Sequence, residues 1–195
     1  MHLLYLDRLL YKNHRYMQLT AGSIYHVYNR GNSRERIFFS TEDYRLFLKN
    51  VRLYLKPQAD ILAWCLMPTH FHFLVHANET SVQITEETNF KRQQFSQAMR
   101  QLLSSYTHTV SEQEGRTVGL FLQRTKAVCV SDDREHAAIA FRYIHQSPVR
   151  TRLVEKLEDW PFSSFADYAG VRDGRLCDRL LATRLLNLRE ESVLV

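Results

Sequence analysis

Three histidines stand in one short apolar run, Thr69-His70-Phe71-His72-Phe73-Leu74-Val75-His76. Its residue types favour a β-strand, and a strand sends successive side chains to opposite faces. His70, His72, Leu74 and His76 then share one face, with Phe71, Phe73 and Val75 on the other. Two imidazoles at i and i+2 on one face lie close enough to share a divalent cation, and such a strand can seat a metal against a phosphate. A strand with polar residues on its solvent face is the other reading of the same pattern.

A second candidate sits on a helix expected from Asp133 to about Gln146, ending before Pro148. His136, Ala140, Tyr143 and Ser147 form one stripe of that helix, and Ala137, Phe141 and Ile144 form the core-facing one. Tyr143 is thereby displayed beside the core. Its phenol could act as a nucleophile if a cation neutralised the phosphate it attacks. The chain holds ten tyrosines, and packing is the ordinary role of each. Tyr106, on another helix, reads as packing, and Trp64 as core.

The scaffold for these groups is bounded by composition. A chain of 195 residues with 45% hydrophobic content suggests one domain with an appendage and a proper core. A net charge of +5 fits a polyanion partner. The three cysteines, Cys65, Cys129 and Cys177, are scattered and form no CxxC pair. That favours a reducing cytosol over a disulfide framework or a zinc knuckle. The N-terminal apolar stretch is broken by Asp7, Arg8, Lys12 and Arg15. It reads as a peripheral extension, with Met17 as an alternative start, and not as a membrane span. No membrane partner and a cytoplasmic location are expected.

Along the chain, SIYHVYN (23–29) reads as a strand ending at the Arg30-Gly31-Asn32 turn. A helix capped by Ser40 or Thr41 runs to about Leu55 and is closed by Pro57. Ile61 to Met67 is a continuous apolar run of the kind a buried central strand shows. Pro68-Thr69 connects it to the histidine strand, giving an expected hairpin. A polar stretch (78–89), a helix from Phe90 to about His108, a loop (111–119) and a strand (125–130) follow. Asp132 and Glu135 have capping-box spacing for the next helix. The order predicts an α+β fold: a ferredoxin-like antiparallel sheet (β-α-β-β-α-β) with an added C-terminal tyrosine-bearing helix. The two apolar runs are expected at its centre and the helices on one face. Beyond Trp160 an arginine-rich tail carries a further helix, about Cys177 to Leu188.

At this point the sequence resembles a known family. AWCLMPTHFHFLVH is similar to the histidine–hydrophobic–histidine (HUH) motif of the single-tyrosine transposases. SIYHVYNRGNSRERIF and EDYRLFLKNV resemble the first strand, turn and first helix of the REP-associated tyrosine transposase branch. GLFLQRTKAVCV resembles the approach to its fourth strand. FRYIHQSPVR with DWPFSSFADY resembles its tyrosine helix and C-terminal segment. The likeness runs in order over residues 20–170 and implies an N-terminal extension (1–20), an HUH transposase domain (21–150) and a basic C-terminal tail (151–195).

The resemblance implies His70 and His72 as ligands of Mg²⁺ or Mn²⁺ and Tyr143 as the nucleophile. It implies cleavage of single-stranded DNA beside a hairpin, through a 5′-phosphotyrosine link that a second 3′-OH can reverse. One position departs from the pattern: where the family commonly carries Asn or Gln one turn after the tyrosine, this chain has Ser147. Serine is a poor ligand for a hard cation, and Gln146 is adjacent on a different stripe. His76 lies farther along the histidine face and suits a supporting or DNA-facing position. Arg30, Arg34, Arg36, Arg124, Lys126, Arg142 and Arg150 are candidates for phosphate contacts, with ordinary solvation as the alternative. The implied partner is hairpin-bearing single-stranded DNA, bound by a monomer or homodimer. Competing readings are a hairpin-binding protein that has lost its chemistry, an HUH replication or conjugation nickase, and an RNA-binding ferredoxin-like domain. The last would carry aromatics where this chain has histidines.

Overall fold

A computed structural model describes residues 18–85, 91–115, 119–122, 124–131 and 134–188. Strand β1 (Ile24–Arg30) is followed by helix α1 (Thr41–Asn50), strands β2 (Asp60–Met67) and β3 (His70–His76), and helix α2 (Gln94–Glu114). Strand β4 (Lys126–Cys129) and helices α3 (Arg134–Arg150) and α4 (Arg179–Leu186) complete the framework. The strands form one antiparallel sheet of order β2-β3-β1-β4, the split β-α-β arrangement that the element order predicts.

Local chemistry sets several boundaries. Ser40 and Asp43 form a reciprocal capping box at the start of α1. A π-helical turn (Val51–Leu55) and a short turn containing Pro57 carry the chain into β2. Gly115, at φ 63°, ends α2 in the left-handed conformation that favours glycine. Gly31 closes β1 for a different reason: a Cβ there would meet the Glu35 carbonyl.

Four expectations are corrected. The central pair is β1 and β3, and β2 lies at the edge. Its apolar run reports burial on both faces, because a bulge between Ile61 and Ala63 leaves Leu62 and Ala63 facing one core and Ile61 and Trp64 the other. Its outer edge is covered by the C-terminal segment: Leu66 N–H donates to Phe162 O (2.9 Å), Ser164 N–H to Trp64 O (2.9 Å) and Asp178 N–H to Ile61 O (2.9 Å). Second, helices cover both faces. Phe71, Phe73 and Val75 pack with Phe47, Leu102 and Tyr106, whereas Leu74 packs with Phe141, Ile144 and Leu186. Third, α2 continues to Glu114, since Tyr106 and Val110 keep its stripe buried. Fourth, α3 runs through Pro148 to Arg150. The polar 78–89 stretch also forms a one-turn helix, Glu79–Val82, and a strand, Ile84–Thr85, paired with Arg92–Gln93. Residues 1–17 of the N-terminal extension, Asp132 of the expected capping box, and the tail beyond residue 188 lie outside the described residues.

Candidate active site on the α3 face of the sheet

The site grows from strand parity. Even-numbered residues of β3 and β1 face α3, and cross-strand register sets Tyr28 opposite His72, Arg30 opposite His70 and His26 opposite Leu74. On the other flank of β1, Lys126 stands opposite Tyr28 and Val128 opposite His26. The rings of His70 and His72 lie 4.9 Å apart, centroid to centroid. Helix α3 lays Tyr143 over His72 and His26: its ring is 5.7 Å from that of His72 and 6.1 Å from that of His26, both edge-on. The Arg150 guanidinium lies 5.7 Å from the centre of the Tyr143 ring, within cation–π range.

Hydrogen bonds orient both imidazoles. His70 Nδ1 is paired with Thr69 Oγ1 at 2.9 Å, and His72 Nδ1 with His26 Nε2 at 2.9 Å. Among the described residues, His72 Nε2 is buried without a partner. Burial, with the charge of Arg30 as a lesser cause, pushes His70 down to about 4. Burial alone brings His26 to about 4, and burial with the neighbouring His26 and His70 takes His72 well below its ordinary value. All three rings are therefore neutral near pH 7, the state in which an imidazole ligates a metal. Among the described residues no set of three His, Cys, Asp or Glu side chains converges on one point. The residues present fit a cation held by two nitrogens, with water and phosphate oxygens completing its shell.

The other sequence candidates divide. Ser147 is buried, and its hydroxyl donates to the Tyr143 carbonyl (2.8 Å), so its proton serves its own helix. Gln146 is half-buried on another stripe of α3. His76 is paired with Asp60 at 2.9 Å. It lies six positions along β3 from His70 and four from His72, roughly 20 and 13 Å, with its ring turned to Asp60. Arg30, Lys126 and Arg150 flank the histidine–tyrosine cluster and are exposed. Arg34 and Arg36 are exposed in the turn after β1, Arg34 with φ 63° and Arg36 donating to Phe38 O. Arg124 is exposed just before β4, and Arg142 is half-buried on α3. Tyr106 is fully buried and donates to Ile37 O (2.5 Å), which excludes it as a second nucleophile. The contact that sequence reasoning missed is His26 on His72. His26 stands in the first strand, and cross-strand register decides what it touches.

No protein-family model matches the chain. Over 106 residues it is 26% identical to "Putative REP-associated tyrosine transposase" of Haemophilus influenzae, across 54% of this chain and 58% of that protein. The alignment thus spans less than two thirds of that curated relative. The fold matches a solved structure of a REP-associated tyrosine transposase bound to a REP hairpin, with a TM-score of 0.59 and 21% identity. That match covers 86% of this chain and 98% of the other. The chain resembles the REP-associated tyrosine transposases in sequence and in fold. Against the transposase pattern, the helix one turn past Tyr143 offers Ser147, whose proton is turned back to the backbone. No helix among the described residues is long and apolar enough to cross a membrane.

Proposed function

We propose that this chain is a metal-dependent transposase that cleaves and rejoins single-stranded DNA beside a hairpin, with Tyr143 as nucleophile and His70 and His72 as ligands of Mg²⁺ or Mn²⁺. The observation that carries the reading is the placement of Tyr143 against His72, beside a buried imidazole nitrogen that has no partner. The similarity to REP-associated tyrosine transposases supplies the reaction class and the DNA partner.

In this reading Tyr143 Oη attacks the scissile phosphorus. The phenol gives up its proton as the phosphotyrosine bond forms, the bond to the 3′ oxygen breaks, and that oxygen takes up a proton and leaves as a 3′-OH. The energy of the broken ester is kept in the new one, so a second 3′-OH can reverse the step without a nucleotide cofactor. A cation bound at His70 and His72 would supply Lewis-acid stabilisation of the phosphate charge. Arg150 holds positive charge over the Tyr143 ring and is placed to meet the phosphate that the tyrosine attacks. Arg30 and Lys126 extend the same positive rim along the sheet. The buried face beneath the cluster, Leu74 and Ile144, excludes water from one side. Tyr143 stands on helix α3 and His70 and His72 on strand β3, two rigid elements, which supports the reading of a preorganised site.

The test separates binding from chemistry. His70→Ala and His72→Ala should each lower cleavage of a hairpin-bearing oligonucleotide by at least about 100-fold while hairpin affinity changes little, because phosphate contacts dominate affinity. Cleavage at the wild-type rate by both variants would contradict the metal assignment.

A further inference from the structure

His26 is absorbed by neither the ligand pair nor the nucleophile. It lies diagonally across the β1–β3 ladder from His72, within reach of an aromatic side chain on the same face. The two rings are 5.0 Å apart, and His26 Nε2 meets His72 Nδ1 at 2.9 Å. This is the hydrogen bond that the His72 ring makes among the described residues.

Two neutral nitrogens can share that bond in two ways. If His26 Nε2 carries the proton and donates, His72 must carry its own proton on Nε2. That N–H is then a buried donor without an acceptor. If His72 Nδ1 carries the proton and donates to His26 Nε2, His72 Nε2 becomes a bare lone pair. In the second arrangement the His26 proton sits on Nδ1, which is not left buried and orphaned, and the unpartnered atom of His72 is an acceptor lone pair, the atom that a cation requires. His70 is arranged alike, with Nδ1 engaged by Thr69 Oγ1. Around His26 stand Leu74 and Val128 across the two ladders and the rings of Tyr28 and Tyr143, with no carboxylate hydrogen-bonded to it among the described residues.

We propose that His26 is a positioning residue that accepts a hydrogen bond from His72 Nδ1–H and so holds the His72 Nε2 lone pair ready for a cation. It touches neither metal nor DNA; it acts through His72, filling with a neutral imidazole the outer-shell place that a carboxylate or backbone carbonyl often takes. The inference rests on the reading of His70 and His72 as ligands, and its test is built to fail separately from that reading.

The measurement is the ring-nitrogen shift pattern of ¹⁵N-labelled histidines in the full chain near pH 7 without metal, followed by Mn²⁺ titration detected by electron paramagnetic resonance. The wild type should show His72 protonated on Nδ1 and bare on Nε2. His26→Phe keeps a ring but offers no acceptor; it should shift His72 toward the Nε2–H form and weaken Mn²⁺ binding about 10- to 100-fold. His26→Gln retains an acceptor oxygen and should recover most of that loss. A wild-type His72 protonated on Nε2 overturns the proposal without reference to any variant. So does a His26→Phe protein with unaltered His72 shifts and unaltered Mn²⁺ affinity. A wild type with His72 protonated on Nδ1 but no Mn²⁺ uptake would overturn the metal reading and leave the role of His26 in setting the tautomer standing.

Discussion

Position 147 shows how much one side chain can decide. Its hydroxyl proton goes to the Tyr143 carbonyl, four residues back, a bond that serves the helix. Ser147→Ala should therefore leave hairpin cleavage within about threefold of wild type and change stability by less than about 1 kcal/mol. A tenfold loss of cleavage in a gel assay would show that Ser147 acts on the site. The placement of single residues was legible where it depended on parity alone. Alternation put His70 and His72 on one face, and helical spacing put Tyr143 beside Phe141 and Ile144 without burying it. It was not legible where two elements had to be set in register. The His26–His72 bond and the Arg150 contact with Tyr143 depend on cross-strand pairing and on a helix that runs past Pro148. The rule that helices stop before proline gave the wrong end for α3; proline costs one backbone bond there, and the buried packing of Ala137, Phe141 and Ile144 offsets it.

Strand β2 teaches the same lesson for elements. Its unbroken apolar run distinguishes two buried faces from one, but it does not say how many strands flank it. The missing neighbour is supplied from residues 160–178, through side chains as well as backbone. Ser164 Oγ accepts from Trp64 N–H (2.9 Å) and is paired with His145 Nε2 (2.7 Å). Ser164→Ala would strip the partner from two buried groups at once and should cost about 2–4 kcal/mol in denaturant unfolding. A loss below about 0.5 kcal/mol would mean that this edge contact carries no stability. The short elements in the 78–89 stretch escaped sequence reading because the paired strands are two residues each, too short for periodicity.

For the whole molecule, charge and burial make opposite demands. His26 and His70 are held near 4 and His145 near 3, each mainly by burial. Their ordinary value is 6.5, so above it they are neutral both folded and unfolded and their burial costs nothing. As pH falls below that value, the unfolded chain takes up protons that the folded chain refuses, and stability drops progressively toward pH 4. The melting temperature should thus fall by several degrees between about pH 7 and pH 5. An unchanged value would show that these histidines titrate freely in the fold. The net charge of +5 works at longer range. Arg150→Ala should weaken hairpin binding and reduce the slope of log affinity against log salt by about 0.7 to 0.9. An unchanged slope would remove Arg150 from the DNA-contacting rim. The central claim is that Tyr143 becomes covalently joined to DNA. It is tested most directly by incubating the full chain with Mn²⁺ and single-stranded oligonucleotides carrying a hairpin flanked by randomised sequence, then mapping the adduct by mass spectrometry. The account predicts a 5′-phosphate-linked DNA fragment on Tyr143 and none in the Tyr143→Phe protein. A fragment on any other residue, or an adduct that survives in Tyr143→Phe, would contradict it.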